Sequence, residues 1–454
     1  MTETVAVIGA GIGGLCTALT LAPTGRKVIV LERDASPPSD DPDTVFHEWR
    51  HTGVGQLRQS HAFLARLRSI IKTEHPGLLQ DLLALGVREL PFEAMLSEMQ
   101  RETYEPTPED AELTIITSRR TTLELAMRRY VEKLDNVTIQ SGFLVRRLLT
   151  RKGVDGVIEV LGVVGDSGGD EVTVKADVVV DASGKSGFII DHVMEESANT
   201  SEEQESAGIL YFTRHYRLKP GMDEPSRTEN PPATGDLGFV KFGVFPGDNG
   251  CFSITLAIPE VEMELRKAIL NPDIFHAMTL QLPGLKPWTN SDRSNPVGRV
   301  HGMGDLISRW RELVVDGRPA AHGYFALGDT LIRTNPLYGR GCSFAAASAQ
   351  VLRQTLDESA DPEARALAFH KRLHSELKPY YINQRTQDRS AIKRARQALT
   401  PDYRKSRRAK LMESFFVDGV GIAVRYDIAL MREAMRGFHM LEHPNKWLGR
   451  PRHL

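Results

Sequence analysis

The chain begins with two apolar runs joined by a glycine-rich turn. Residues 5–8 and 28–31 are uniformly apolar, and between them lie a turn with Gly9, Gly11 and Gly14 and a helical stretch that Pro23 and Gly25 end. A short, uniformly apolar run bounded by turn residues is typical of a strand buried on both faces of a parallel sheet. The pattern therefore predicts a strand–turn–helix–strand unit that ends at Glu32.

The next part of the chain alternates between helical and strand-like patterns. Apolar residues at helical spacing predict helices over residues 62–85 and 121–134, whereas residues 94–104 and 111–117 have the pattern of strands. A further uniformly apolar run ends at Asp181 and predicts a second buried parallel strand.

The middle of the chain has the pattern of an antiparallel sheet. Strands are predicted over residues 208–217, 238–245 and 251–258, and the turn residues at 246–250 predict a hairpin between the last two. Polar segments at 195–206 and 219–236 are predicted to be linkers.

In the last third, an apolar strand ends in Gly328-Asp329 and is followed by a glycine loop. An alanine-rich helix is predicted to begin just after Gly341, and the chain beyond about residue 360 is helical and rich in arginine through Trp447. A second helix start is therefore predicted to face a negatively charged group.

Composition limits the classes of function. The 454 residues carry a formal net charge of −2, which argues against nucleic acid or an anionic membrane as the main partner. The basic run at 393–408 is interpreted as a solvated helix face. Three distant cysteines exclude a disulfide framework and a cysteine-rich zinc site, so we predict no metal and a cytoplasmic location. We expect neither a signal peptide nor a membrane span.

The first glycine turn has the spacing of a dinucleotide site. Gly9 permits the tight turn, Gly11 lets the backbone approach a pyrophosphate, and Gly14 lets the helix pack closely on the strand. The helix start then offers free N–H groups to the phosphates. Glu32 lies where a carboxylate accepts ribose hydroxyls and repels a 2′-phosphate, so FAD or NAD fits better than NADP.

Three separated motifs resemble those of the FAD-dependent monooxygenases of the p-hydroxybenzoate hydroxylase fold. They are Gly9-Ala-Gly-Ile-Gly-Gly14 with Glu32, Arg120-Thr-Thr-Leu-Glu124, and Gly328-Asp329 with Pro336-Leu-Tyr-Gly-Arg-Gly341. Together they cover roughly residues 1–360. Two stretches are most similar to those of bacterial polyether-type flavin epoxidases and their relatives. They are Arg50-His-Thr-Gly-Val-Gly-Gln-Leu-Arg-Gln-Ser-His61 and Asn335-Pro-Leu-Tyr-Gly-Arg-Gly341.

The resemblance implies an α/β fold with a Rossmann-like FAD-binding domain, an inserted antiparallel substrate sheet and a C-terminal helical region. The FAD-binding domain is predicted to be discontinuous, at 1–92, 118–190 and 296–360. The substrate-binding sheet is predicted at 93–117 and 191–295, and the helical region at 361–454.

The resemblance also implies which residues bind FAD. Glu32 and Arg33 would hold the adenosine ribose, Val145 would meet adenine through its backbone, Arg120 would contact the flavin side, and Asp329 would bind the ribityl or pyrophosphate region. Backbone N–H groups beyond Gly341 would stabilise negative charge on the reduced ring. The full predicted set is Gly9, Ala10, Gly11, Ile12, Gly13, Gly14, Glu32, Arg33, Arg120, Val145, Gly328, Asp329, Pro336, Gly339, Gly341, Cys342 and Ser343.

The predicted reaction inserts one oxygen atom from O2 into an apolar small molecule, such as a polyene, polyketide or terpenoid, by epoxidation or hydroxylation through a flavin C4a-(hydro)peroxide. Because the flavin supplies this chemistry, no catalytic base is obligatory. Residues predicted to line the substrate pocket are Arg50, Gln56, Arg58, His61, Tyr211, Thr213, Phe242 and Pro336.

Several alternatives remain open from the sequence. Family members that take hydride directly from NAD(P)H commonly have Asp-Gly where this chain has Asp181-Ala182, so the electrons come from NAD(P)H either directly or through a separate flavin reductase. An FAD-dependent dehydrogenase or double-bond reductase would bind the same cofactor through the same motifs without inserting oxygen. A halogenase is disfavoured because the Trp-x-Trp-x-Ile-Pro segment is absent and Trp310 stands alone. A non-catalytic flavin-binding scaffold is also possible in principle.

Several of the predicted site residues also have a simpler, structural interpretation. His61 is a structural hydrogen-bonding residue or a proton shuttle, and Arg58 could pair with an acid at 40–45. Tyr211 and Phe242 could be core aromatics, and Cys342 either anchors the flavin or is inert packing.

Overall fold

A five-stranded parallel sheet lies at the centre of the molecule. The structure is a computed structural model that describes residues 2–153, 156–398, 400, 403–404, 406–408, 410 and 421–449. In spatial order, the strands of this central sheet are Tyr324–Ala326, Val178–Asp181, Thr4–Ile8, Lys27–Glu32 and Val137–Ser141. The predicted α/β fold class and the buried parallel strand ending at Asp181 are confirmed.

The order of these strands creates a crevice beside the first strand. The chain leaves Thr4–Ile8 to build the sheet on one side and later returns to add Val178–Asp181 on the other. The loops that follow these two strands therefore diverge at the carboxyl edge, which is where open parallel sheets bind ligands.

Two helices pack together against the central sheet. They are Ile12–Leu21 and Gly341–Glu358. Small side chains permit the close contact, since a Cβ atom at Gly13 would lie 3.2 Å from the Leu327 side chain and 4.0 Å from that of Ala345. The alanine-rich start of the second helix is thus explained by packing.

A separate five-stranded antiparallel sheet covers the carboxyl edge of the central sheet. Its strands, in order, are Thr234–Asp236, Lys241–Pro246, Cys251–Pro259, Ile209–Leu218 and Ser294–Met303. The predicted hairpin at 246–250 is present, and its turn places Asn249 and Gly250 at φ of 52° and 70°. This sheet continues to Met303, past the boundary predicted at residue 295.

Two local predictions were wrong, and a third was right with one break. Residues 94–104 are not a strand: Ser97 and Gln100 form a reciprocal capping box that starts the short helix Glu98–Glu102, and only Ile115–Thr117 pairs as a strand. The helical pattern predicted over 62–85 is present as two helices, because Pro76 cannot continue the first. Residues 195–206 include the strand Ser201–Ser206, which pairs with Ile307–Glu312.

Smaller sheets complete the fold. One meander contains Phe143–Lys152, Ile158–Ser167 and Asp170–Lys175, and Ala321–His322 extends it. The other small-sheet strands are Ser201–Ser206, Ile307–Glu312 and Ile332–Arg333; Ala62–Phe63, Ile115–Thr117 and Arg88–Leu90; and the pair Val314–Val315 and Arg318–Pro319.

The remaining helices flank the sheets and form the C-terminal layer. They are Pro42–Glu48, Ala65–Glu74, Pro76–Ala84, Glu98–Glu102, Arg120–Val131, Ile189–Glu196, Met263–Ala268, Pro272–Gln281, Lys286–Thr289, Pro362–Glu376, Lys378–Ala398, Gly421–Tyr426 and Ile428–Phe438. Residues 411–420 and 450–454 of the predicted helical region, and part of the basic run at 393–408, lie outside the described residues. Among the helices described, none is both long and apolar enough to cross a membrane.

A buried ion pair ties the antiparallel sheet to the central domain. Asp248, in the hairpin, is fully buried and accepts hydrogen bonds from the Arg119 backbone N–H at 2.7 Å and from Thr122 Oγ1 at 3.0 Å. The Arg119 guanidinium donates to the same carboxylate at 2.5 Å and lies 2.7 Å from Asp43.

We expect Asp248→Ala to lower the free energy of unfolding by about 3–5 kcal/mol, because the change leaves the Arg119 charge buried without its main partner. Urea denaturation followed by circular dichroism measures the difference. The exposed Asp292 provides the control, since Asp292→Ala should change stability by less than about 0.5 kcal/mol. Equal effects of the two changes would contradict this role of Asp248.

Candidate active site

The first glycine turn lies in the crevice of the central sheet. Gly9 has a φ of 96°, and a Cβ atom there would lie 2.9 Å from the carbonyl oxygen of Ala182. A Cβ atom at Gly14 would lie 1.8 Å from the Gly9 carbonyl oxygen, so only glycine permits this approach of helix to strand. Close backbone packing therefore explains why Gly9 and Gly14 are glycines.

Gly11 is different, because its open side faces a cavity. The nearest neighbour of a Cβ atom at Gly11 would be Val54 Cγ2 at 3.8 Å. The helix Ile12–Leu21 that follows has no side-chain cap and no acidic residue in its first turn. An uncapped helix start beside a glycine surface fits the pyrophosphate of a dinucleotide.

Glu32 is held in place at the end of the second strand. Its Oε2 accepts a hydrogen bond from the Ala10 N–H at 2.6 Å, and its Oε1 accepts one from the Asp34 N–H at 2.8 Å. The carboxylate lines the cavity together with Arg33 and Val145. The adenosine-side residues predicted from the sequence are therefore brought together.

A chain of alternating charges runs from Glu32 into the protein. His51 lies between two carboxylates, with Nε2 3.7 Å from Glu32 and Nδ1 3.2 Å from Glu124. Glu124 also pairs with Arg120 at 2.5 Å, and Arg120 lines the cavity. Buried charges require such partners, so this row of four charged side chains fixes Glu32 and Arg120 relative to each other.

The pKa values of His51 and Glu124 in this row of charges follow from burial and pairing. Burial opposes the charged form of His51, but the Glu124 and Glu32 carboxylates outweigh it and raise the His51 pKa to about 9. Burial would raise the pKa of Glu124, yet Arg120 and His51 lower it to about 2. His51 and Glu124 are thus both charged at neutral pH.

The second glycine turn lines the same cavity as the first. Gly328 and Gly339 have φ of 60° and 63°, and a Cβ atom at Gly341 would lie 3.9 Å from Asp329 Oδ1. The helix Gly341–Glu358 has neither a side-chain cap nor an acidic residue in its first turn. A second uncapped helix start therefore lies beside Asp329, whose Oδ2 accepts a hydrogen bond from Gln56 at 3.2 Å.

Asn335 holds this second turn on the helix Lys378–Ala398. Its Oδ1 accepts hydrogen bonds from the Tyr211 hydroxyl at 2.6 Å and the Leu337 N–H at 3.0 Å, while its Nδ2 donates to Asp388 at 2.8 Å. Gln384 donates to the Asn335 carbonyl at 3.0 Å. Burial raises the pKa of Asp388 to about 6. The network joins the antiparallel sheet, the turn and helix Lys378–Ala398.

Most of the residues predicted to bind cofactor lie around one cavity of about 700 Å³. Those lining it are Gly9, Gly11, Ile12, Gly13, Glu32, Arg33, Arg120, Val145, Gly328, Asp329, Pro336, Gly339, Gly341 and Cys342. Ala10, Gly14 and Ser343 lie behind this lining, where Ala10 binds Glu32 and the other two are buried by packing.

The predicted pocket residues divide into two groups. Gln56, His61, Tyr211, Phe242 and Pro336 line the cavity. Arg50 is exposed and Thr213 is buried behind the wall, where its hydroxyl donates to Gln59 Oε1 at 2.6 Å. Arg58 also lies outside: it donates to the carbonyls of residues 46, 47 and 49 rather than to an acid at 40–45. Neither arginine is a pocket residue.

Two reactive side chains in the cavity are electrically neutral. Burial and the nearby Arg120 lower the pKa of His61 to about 3, and its Nδ1 lies 2.9 Å from the Gln59 carbonyl. Burial raises the pKa of Cys342 to about 11, so the thiol is protonated and a poor nucleophile. Both observations favour the structural interpretations.

The structure adds four residues to the site that were not predicted: His51, Glu124, Asn335 and Asp388. Three had a signal in the sequence: Glu124 follows Arg120 at helical i,i+4 spacing, His51 lies inside the motif at 50–61, and Asn335 directly precedes the motif at 336–341. Asp388 had none, because its helix is distant in sequence.

Comparison with known proteins agrees with this geometry. Residues 4–210 match the family model described as FAD binding domain. Protein Rv3254 of Mycobacterium tuberculosis is 27% identical over 367 residues, which cover 77% of this chain and 72% of that protein. The structure of the flavin-dependent brominase Bmp2 is similar with a TM-score of 0.61 and 18% identity, covering 97% of this chain and 100% of that one. The structure of the anhydrotetracycline hydroxylase OxyS of Streptomyces rimosus is similar with a TM-score of 0.62 and 16% identity. The match covers 97% of this chain and 76% of that one.

The domain match, the fold and the two glycine turns define the class of this protein. It has an FAD-binding domain, and the predicted class of FAD-dependent oxidoreductase is confirmed. The structural neighbours share its fold at low sequence identity, so they add the architecture and nothing about its substrate.

We expect His51→Gln to destabilise the protein in a pH-dependent way. The raised pKa of His51 means that its protonated form stabilises the folded state fully below about pH 6.5, and that this contribution is lost as pH rises through about 9. The variant should therefore be less stable than wild type at pH 6, by on the order of 1–3 kcal/mol, and the difference should shrink by pH 9.5. Thermal unfolding across this range, with the exposed His47→Gln as control, measures it; a difference independent of pH would contradict the role.

We expect Asn335→Ala to weaken FAD binding about tenfold, because it removes the acceptor of the Tyr211 hydroxyl and the closer of the two donors to Asp388, and so releases the second turn. Tyr211→Phe, which removes a single hydroxyl from the same network, should have a smaller effect. Flavin fluorescence during titration of the apoprotein reports the affinity. Unchanged affinity in Asn335→Ala would contradict the idea that this network positions the turn.

Proposed function

We propose that the protein is an FAD-dependent monooxygenase that inserts one oxygen atom from O2 into an apolar small molecule, by epoxidation or hydroxylation. The observation that carries the proposal is the apolar chamber next to the second glycine turn. Its walls come from the antiparallel sheet, the 303–307 segment and the C-terminal helix Ile428–Phe438. The apolar lining residues are Phe242, Phe245, Met303, Leu306, Leu337, Met435 and Phe438.

This chamber is suited to exclude water and to orient a lipophilic substrate. The aromatic, leucine and methionine side chains carry no charge, which favours an apolar ligand through burial of its surface. Two cations, Lys241 and Arg333, line the same cavity, and Lys241 is paired with Asp236. The Tyr211 hydroxyl, which also lines the chamber, is already bonded to Asn335, so it is not presented as a free acid. A polyene, polyketide or terpenoid skeleton fits this chemistry.

The residues present fit FAD: the uncapped start of helix Ile12–Leu21 would hold its pyrophosphate, and residues 336–341 would hold its ring. When bound and reduced, FAD supplies the activation of O2 and the transfer of one oxygen atom. The chain's own N–H groups beyond Gly341 would stabilise negative charge there. Overall, NAD(P)H, a proton, O2 and substrate give NAD(P)⁺, water and the oxygenated product.

Within this class, the motif at 50–61 supports the polyether-type epoxidases as the most similar group. Asp181-Ala182, in place of Asp-Gly, supports electron delivery by a separate flavin reductase, although direct use of NAD(P)H remains the alternative. The distant cysteines support a cytoplasmic location. Halogenation has less support, because Trp310 is buried against Tyr381 and lies outside the cavity lining.

The function is tested by reducing the purified flavoprotein and supplying ¹⁸O2. NADPH is added first alone and then with a flavin reductase, while absorbance near 450 nm, the usual band of oxidised flavin, shows which route reduces it. A panel of lipophilic alkenes and polyketide aromatics is then oxidised under ¹⁸O2. We expect products heavier by a single ¹⁸O atom.

A dehydrogenase or double-bond reductase would give a different result. It would convert the same panel without O2, and its products would contain no ¹⁸O. In a dehydrogenase the substrate would reduce the flavin, whereas in a double-bond reductase the reduced flavin would reduce the substrate. That outcome would overturn oxygen insertion while leaving FAD binding intact. Binding of FAD with no conversion of any compound in either condition would favour a scaffold.

A further inference from the structure

A second group of chemistry-bearing side chains lies away from the cavity, where helix Pro362–Glu376 packs near the end of strand Ile307–Glu312. His370 and His374 are four residues apart, so they project from the same face of the helix. Glu312 ends the strand and points its carboxylate at both rings. None of the three lines the cavity described above.

The ligating atoms of these residues converge. Glu312 Oε2 lies 2.8 Å from His374 Nε2 and 3.4 Å from His370 Nδ1, and the three atoms all lie within 4.8 Å of one another. The two imidazole rings are 4.3 Å apart between centroids. Bonds of about 2.0–2.1 Å to a tetrahedral zinc ion require ligand atoms to lie about 3.3 Å apart. Small side-chain movements therefore suffice to admit an ion.

The surroundings orient the carboxylate. Lys378 Nζ lies 3.3 Å from Glu312 Oε1, the oxygen that does not face the histidines, and 4.3 Å from the centre of the Trp310 ring. Such an outer partner fixes a ligating carboxylate and leaves its other oxygen available. The side chains of Glu312, His370 and His374 are 15%, 29% and 37% exposed, so the group is open to solvent on one side.

We propose that Glu312, His370 and His374 bind a divalent transition-metal ion, for which Zn²⁺ is the best match, with water as the fourth ligand. Two imidazoles and one carboxylate are a ligand set that zinc accepts, and imidazole also suits Cu²⁺ and Ni²⁺. The ion joins the helix to the strand. This site was invisible in the sequence, because the third ligand lies 58 residues before the nearer histidine. The simpler explanation of the cluster is a His374–Glu312 hydrogen bond without metal.

The test uses the FAD-loaded protein without a histidine tag, stripped of metal by a chelator. Isothermal titration with ZnCl2 should show one ion per chain, and Zn²⁺ should raise the melting temperature. Loading with Cu²⁺ should give an electron paramagnetic resonance spectrum with coupling to two nitrogens. The spectrum is a readout that a structural hydrogen bond would not produce.

Variants separate the two explanations. His370→Gln and His374→Gln keep polar side chains, and each should weaken Zn²⁺ binding at least tenfold while leaving the flavin absorbance and melting temperature without metal unchanged. His192→Gln is the matched control, because His192 is also a helical histidine beside a glutamate, with Nδ1 3.6 Å from Glu195. Absence of Zn²⁺ binding to wild type, or equal binding by the His370→Gln/His374→Gln double variant, would overturn the proposal.

Discussion

Two helix starts without side-chain caps point into one crevice of the central sheet, and the rest of the structure depends on holding them there. The first begins at Ile12, after a turn in which Gly14 lies against the Gly9 carbonyl. The second begins at Gly341, after a turn bonded to helix Lys378–Ala398 through Asn335. Each start presents N–H groups that favour a negatively charged partner, and we propose that a single FAD molecule supplies one to both.

Buried ion pairs hold the two helix starts and the cavity wall in position. Arg120, Glu124, His51 and Glu32 alternate in sign from the cavity wall to the end of the second strand, while Arg119 and Asp248 hold the antiparallel sheet on the same helix start. A buried charge is costly to leave unpaired, so displacing one member disturbs the next. The geometry of the cavity is therefore coupled to ionic contacts that lie mostly behind its surface.

The sequence predicted the elements whose pattern is local. The apolar runs around the glycines, the hairpin at 246–250 and the fold class were all visible, because strand burial and turn chemistry are local properties. The strand predicted at 94–104 failed because the capping box at Ser97 and Gln100 outweighed its apolar content. Within the site, Arg50 and Arg58 were misplaced because polarity along a loop does not show which side faces inward. Asp388 and the Glu312 pairing depend on tertiary contacts that no local pattern records.

The central claim is that both glycine turns bind a single FAD molecule, one at each end. The most direct measurement compares the affinities of the apoprotein for FAD, ADP and FMN by calorimetry, since ADP engages the first turn alone and FMN the second. We predict one FAD per chain, bound at least a hundredfold more tightly than either fragment, with both fragments displaced by FAD. Equal affinity for FAD and ADP would show that the second turn does not hold the ring, and would contradict the account.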